Sequence, residues 1–204
     1  MPAPELIYRD DALLVVNKPA GLLAVPGRGA EKQDCVSARL QQQFPDALIV
    51  HRLDMATSGL LLFARGAEIQ RRLSQIFRER EVAKRYVAVV TGRVQPETGV
   101  IDLPLLADWP NRPKQKIDHA SGKPALTRYR VLNHDGNTTC LELEPVTGRT
   151  HQLRVHLAAI GHPIIGDALY GGLAAQRLML HACALRFAHP CDGKILDLAC
   201  APPF

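Results

Sequence analysis

The stretch LTRYRVLNHDGNTTCLELEPV, from Leu126 to Val146, constrains the fold more than any other. Its side chains alternate in character on either side of a turn at His134 to Asn137, the pattern of a β-hairpin. Strand signals recur along the chain. Ala12 to Val16 reads as a strand, followed by a Pro-Gly turn at Lys18 to Gly21 and another short strand. Residues 49–64 read as a strand pair, or a bulged strand broken at Ser58-Gly59, whose apolar LLLF implies burial on both faces. KRYVAVV, LMLHACALRFAHP and KILDLACAPP supply further strands. Helices are few. Val36, Leu40 and Phe44 suggest one over residues 31–44, and Ile69, Leu73, Ile76 and Phe77 mark the clearest one, from Ala67 to Arg80. RTHQLRVHLAAIGHP predicts a short helix ending at Gly161, with Pro163 just past the stop. No regular βαβ alternation appears, so the fold class is α+β, with a mixed, mostly antiparallel sheet core and few flanking helices. No linker divides residues 1–204, which predicts a single domain and leaves a bilobed form open.

At 47% hydrophobic and 22% charged residues, the 204-residue chain can bury a core and is not a disordered sequence. The formal net charge of +5 favours an anionic partner, nucleic acid before membrane surface. That charge is concentrated. Arg112, Lys114, Lys116, Lys123, Arg128 and Arg130 stand against one acid, Asp118, between Trp109 and Arg130. A local excess of this kind predicts a contact surface. Within it DWPNRPKQK, with two prolines and no periodicity, reads as an exposed, stiffened loop carrying phosphate-binding charge. The five cysteines form no C-x-x-C pair, and no secretory signal or membrane-length apolar run is present. These features predict a soluble, cytoplasmic protein with free thiols.

Two segments carry candidate chemistry. In HRLDMATSGLLLFAR an extended backbone would turn Arg52 and Asp54 to one face, about 6.6 Å apart, and His51 and Leu53 to the other. The neighbouring guanidinium favours an ionised Asp54, which could serve as nucleophile or general base. A structural Arg–Asp ion pair is the plain alternative. In GRTHQLRVH, Arg149 is expected in the first turn of a helix, where free N–H groups attract anions. His151 and Arg154 would share one stripe of that helix, and a solvated polar face is the plain alternative. His151 and His156 are five residues apart, H-E-x-x-H is absent, and the cysteines lack zinc spacing, so no metal site is expected. The glycine-rich nucleotide signatures and G-x-S-x-G are also missing, so no nucleotide cofactor is expected.

HRLDMATSG, GRTHQLRVH and GHPIIGDALYG, together with the opening VVNKPAGLLAVPG, resemble the RluA family of RNA pseudouridine synthases. The resemblance runs from about Tyr8 to Pro202 with the motifs in the family's order. It implies the pseudouridine synthase fold, with a central cleft, and conversion of uridine to pseudouridine without metal or cofactor. It makes Asp54 the catalytic aspartate and Arg149 the residue that holds it. Tyr86 becomes the aromatic platform for the flipped uracil. Arg52 fills the space the base leaves, Leu153 lines the pocket, and Arg112, Lys114 and Lys116 grip RNA. His51 and His156 are left as structural. Met55, where many members carry a basic residue, together with DWPNRPKQK and the short segment before Tyr8, resembles the dual-specificity branch. That branch acts on 23S ribosomal RNA and tRNA anticodon stem-loops. No auxiliary N-terminal RNA-binding domain is expected, and a monomer is. Whether Asp54 attacks C1′ or removes the C2′ proton stays open.

Two other classes compete. A non-catalytic structured-RNA-binding protein would share the basic loop but would not need Asp54. A metal-dependent nuclease would need clustered carboxylates, and Asp54 has no acidic neighbour in sequence nearer than Asp46.

Overall fold

A computed structural model describes residues 4–204. Along the chain run β1 (Glu5–Arg9), β2 (Leu13–Lys18), α1 (Val36–Gln41), β3 (Ala47–Ile49), β4 (Ser58–Arg65), α2 (Ala67–Glu79) and β5 (Ala83–Thr91). There follow β6 (Thr98–Asp102), β7 (Leu105–Ala107), β8 (Gln115–Ile117), β9 (Leu126–Asp135), β10 (Thr138–Pro145), α3 (Gln152–Ala159), β11 (Leu180–Ala188) and β12 (Ile195–Ala199). The fold is α+β and mostly antiparallel, as the patterning predicts. The chain divides into two compact units, one ending at Lys84 and completed by Ala182–Pro203, the other Arg85–His181 with Phe204.

In the first unit β1, β2, β4 and β11 lie in that order, with β3 added to β4 and β12 to β11. Leu13 and Val15 of β2 face Leu60 and Leu62 of β4, and Leu73 of α2 packs over them with Leu185 and Phe187. Leu14, Val16, Leu61 and Phe63 are also fully buried, so LLLF is covered on both faces. Each such side chain contributes about 1.5–3 kcal/mol. Gly59 has φ +113, and a Cβ there would collide with the backbone carbonyl of Ala182, so the glycine of HRLDMATSG lets β4 lie close against β11.

Two local expectations fail for one reason. The short strand expected after Gly21 is a single bridge, Leu23 to Cys35, and the helix expected over 31–44 shrinks to α1 behind a separate turn at Ala30–Lys32. The carbonyls of Leu23 and Ala24 accept the N–H groups of Val36 (2.8 Å) and Ser37 (3.1 Å). That segment therefore caps α1 instead of extending as a strand, and the helix starts where its first donors are satisfied. Cys35 completes the cap, its sulfur accepting from the Ala38 N–H at 3.4 Å.

In the second unit β5, β10, β9 and β6 are neighbours in that order, and β7 with β8 forms a separate ribbon. The β9–β10 hairpin turns at Gly136-Asn137, within the predicted His134 to Asn137, and Tyr86 of β5 is registered with Leu143 of β10.

Candidate active site

HRLD is not a strand. Residues 50–57 are irregular between β3 and β4, so strand alternation does not orient Arg52 and Asp54. The cause is His51. Pairing of β3 with β4 ends at Ile49 opposite Phe63, and the next β4 donor, the Leu62 N–H, goes to His51 Nε2 at 3.1 Å. An imidazole thus takes the place of a strand carbonyl, and the backbone leaves the sheet. The ring stacks on Phe77 at 4.6 Å between centroids. Loss of water around it, and secondarily the charge of Lys84, push its pKa down to about 3. His51 is a neutral structural group.

The other end of the loop is fixed by a residue the sequence left unmarked. Lys18 ends β2 with no exposure, and its ammonium donates to the carbonyls of Pro19 (2.9 Å), Leu22 (2.7 Å) and Met55 (2.9 Å). The Gly21 N–H also donates to the Met55 carbonyl, at 2.8 Å. The opening motif therefore grips the carbonyl of Met55, the residue immediately after Asp54, while the Asp54 carbonyl accepts from the Thr57 N–H at 3.1 Å. Leu53 is buried, Asp54 half-buried and Arg52 exposed. The signal for Lys18 was a lone lysine closing an apolar strand, LLVVNK.

In the second unit Arg149 lies ahead of α3, not in its first turn as expected, because Gln152 opens the helix and His151 caps it at φ 53. A non-glycine residue with positive φ is uncommon. Here the surroundings hold it: His151 Nδ1 meets the Tyr170 hydroxyl at 2.7 Å, and that hydroxyl accepts the Gln115 N–H at 2.8 Å. Gln152 is buried with every polar valence of its amide used. Its oxygen accepts from the Thr147 hydroxyl (2.7 Å) and the Arg149 N–H (3.0 Å), and its nitrogen donates to the Leu126 carbonyl and the Thr127 hydroxyl, both at 3.0 Å. Arg149 Nε donates to the Pro124 carbonyl at 3.1 Å. Main chain and guanidinium of Arg149 are both held, Gln152 being the holder that sequence reasoning missed.

No solvated face exists on α3. Gln152 to His156 and Leu157 are all buried, including Leu153. Arg154 forms a bidentate pair with Asp167 of the GHPIIGDALYG motif, both contacts at 2.8 Å, and Asp167 also accepts the Leu169 N–H. His156 Nε2 donates to the Leu103 carbonyl at 3.0 Å while Nδ1 lies 2.9 Å from the Thr127 hydroxyl, and burial lowers its pKa. It is structural, as expected. Tyr86 is half-buried in β5.

The predicted basic loop joins β7 to β8. Trp109 is 67% exposed, and the Arg112 guanidinium lies over its ring at 3.1 Å from the centroid. Lys114 is half-buried without a side-chain partner among the described residues, whereas Lys116 pairs with Asp118 at 3.4 Å. Arg128 and Arg130, counted in the same run, meet Glu144 (3.5 Å) and Glu142 (3.0 Å) of β10. Half of the six cations in the run are thus paired. Among the described residues, no three His, Cys, Asp or Glu side chains gather as a metal site, and no helix is long and apolar enough to cross a membrane.

Residues 12–159 match the family described as RNA pseudouridylate synthase. The dual-specificity RNA pseudouridine synthase RluA of Escherichia coli K12 is 49% identical over 204 residues, covering 98% of this chain and 93% of that protein. The protein of the same name from Yersinia pestis is 48% identical, covering 98% and 99%. Among solved structures, human RNA pseudouridylate synthase domain containing 1 superposes with a TM-score of 0.82 at 31% identity, over 98% of this chain and 84% of that one.

Proposed function

The chain belongs to the RNA pseudouridylate synthase family and is an RNA-modifying isomerase, and from that premise we propose that Asp54 is its catalytic carboxylate, acting on the ribose of a flipped uridine. The substrates are uridines of 23S ribosomal RNA and of tRNA anticodon stem-loops, by likeness to relatives named for dual specificity. Residues 1–204 act as a single catalytic domain.

The reaction breaks the N-glycosidic bond, turns the uracil, and joins its C5 to the ribose C1′, releasing the C5 hydrogen as a proton. A carboxylate at the sugar serves either route, by attack on C1′ or by removal of the C2′ proton. What supports Asp54 most is the anchoring of its turn: the carbonyl of the following Met55 is gripped by Lys18 and Gly21, and the preceding His51 is stacked on Phe77. A catalytic group must be held within a fraction of an ångström to act on a bound atom. Tyr86 stacks on the uracil, Arg52 supports the opened RNA, and Leu153 lines the pocket. The family resemblance implies Arg149 as the residue that holds the aspartate, and its main chain and guanidinium are both anchored within its own unit. Arg112 and Lys114 contact phosphates, and Lys116 of the same loop contributes less because Asp118 already pairs with it.

The test is tritium release from RNA labelled at uracil C5, with a tRNA anticodon stem-loop and a 23S hairpin as substrates. Wild type should release tritium from both, and Asp54→Asn from neither while still binding them. Release by the variant at the wild-type rate would remove Asp54 from the chemistry. Binding without release by the wild type would leave an RNA-binding protein.

A further inference from the structure

One group in the first unit has no role in this account. Lys84, near the start of β5, is half-buried, and no hydrogen bond or ion pair reaches its ammonium among the described residues. Withdrawing an ammonium from water without a partner costs several kcal/mol, and natural sequences rarely keep such a group without use. It does not stand alone. Arg78 and Arg80 are exposed at the end of α2 and also lack acidic partners among the described residues. Arg80 adopts φ 64, with its N–H turned back to the last carbonyls of α2, so the chain bends sharply there toward β5. The HRLD loop is docked on this end of the helix by the His51–Phe77 stack, while Gln70, in the first turn of α2, holds the preceding β3 by donating to the Ile49 carbonyl at 2.8 Å. Arg52, exposed and unpaired among the described residues, is carried on that loop. The acids of the segment do not neutralise the group, since Glu79 accepts from Gln75 and Glu81 is exposed and unpaired among the described residues.

We propose that Lys84, with Arg80, forms a seat for a backbone phosphate of the substrate RNA on the first unit. A phosphodiester is the complement this arrangement lacks: a compact anion able to accept from an ammonium and a guanidinium at once. Burial and the neighbouring Arg80 charge lower the pKa of Lys84 in the free protein, as expected for a cation held ready without its anion. The inference rests on the proposed RNA substrate and deepens it by naming residues that would hold the strand.

Lys84→Met and Lys84→Arg test it, with binding of the anticodon stem-loop followed across a salt series and with urea unfolding of the free proteins. Lys84→Met should weaken binding about tenfold, lower the salt slope by about one, and raise the urea midpoint; Lys84→Arg should restore most of the affinity. A binding constant and salt slope unchanged in Lys84→Met would overturn the phosphate seat, whatever happens to stability. Tritium release by the wild type separates the two readings. A changed slope with no release would keep the seat and sink the isomerase substrate, while release with an unchanged slope would do the reverse.

Discussion

Between Trp109 and Arg130 three of six cations are met by acids, Lys116 by Asp118, Arg128 by Glu144 and Arg130 by Glu142. Around the end of α2, Arg52, Arg78, Arg80 and Lys84 meet none among the described residues. The first region is conspicuous in a sequence window because two of its three partners lie outside that window: β10 supplies Glu142 and Glu144 through the hairpin register, twelve and sixteen residues from Arg130 and Arg128. The second region is inconspicuous, since Glu79 and Glu81 are interleaved with its arginines. Formal charge along a chain and available charge on a folded surface are therefore different quantities, and a cation matters to an anionic ligand through what it is not already holding.

The largest effect should come from a cation that is fully committed. Lys18 and Lys84 are both withdrawn from water, but Lys18 spends its ammonium on three carbonyls. Lys18→Met strands those acceptors and frees the peptide after Asp54. It should cost on the order of 3–5 kcal/mol of stability, read by urea denaturation, and lower the rate of tritium release as well. A loss under about 1 kcal/mol would show that the buried cage is dispensable and that commitment does not distinguish the two lysines.

Next in size is a pair of double variants. Arg78→Ala with Arg80→Ala should lower the salt slope of stem-loop binding by up to about two, with little change in folding, because neither side chain is engaged in an ion pair among the described residues. Arg128→Ala with Arg130→Ala should lower it by less than half as much, since Glu144 and Glu142 already offset those charges. Its folding cost should stay within about 1 kcal/mol, as for exposed ion pairs generally. Equal slopes for the two doubles would break the comparison.

What was legible in the sequence follows the same division. The β9–β10 hairpin, α2 and the doubly buried β4 were readable because alternation, helical spacing and an apolar run are written in adjacent residues. The extent of α1 was not, because Leu23 and Ala24 decide where it starts. Nor was the exit of HRLD from the sheet, since it depends on His51 taking a donor from β4. Motif likeness pointed to Asp54, Arg149 and Tyr86, but Lys18 and Gln152 owe their importance to burial and to partners distant in the chain, and Lys84 to burial without a partner among the described residues. Gln152 shows the difficulty well: four hydrogen bonds converge on it from Thr147, Arg149, Leu126 and Thr127, and nothing in QLRVH announces them.

The smallest effect is expected at Lys116, which the sequence grouped with Arg112 and Lys114 as an RNA-gripping cation. Its ammonium is 3.4 Å from Asp118 on an exposed strand of the β7–β8 ribbon. Asp118 is itself held, accepting the N–H groups of Ala120 (3.1 Å) and Ser121 (2.9 Å), and those backbone bonds with Lys116 keep its carboxyl below the usual range. The carboxylate therefore stays ionised and in place, and an RNA phosphate approaching Lys116 meets a charge already offset. Lys116→Gln should change the salt slope by less than about half a unit and stability by less than about 0.5 kcal/mol. Arg112→Gln, removing a guanidinium that lies over Trp109 and pairs with no acid among the described residues, should lower the slope by about one. Titrating the same stem-loop against both variants decides whether pairing or position on the loop governs the contribution: equal losses would mean that RNA draws Lys116 away from Asp118, and the distinction between paired and unpaired cations would then hold only for the free protein.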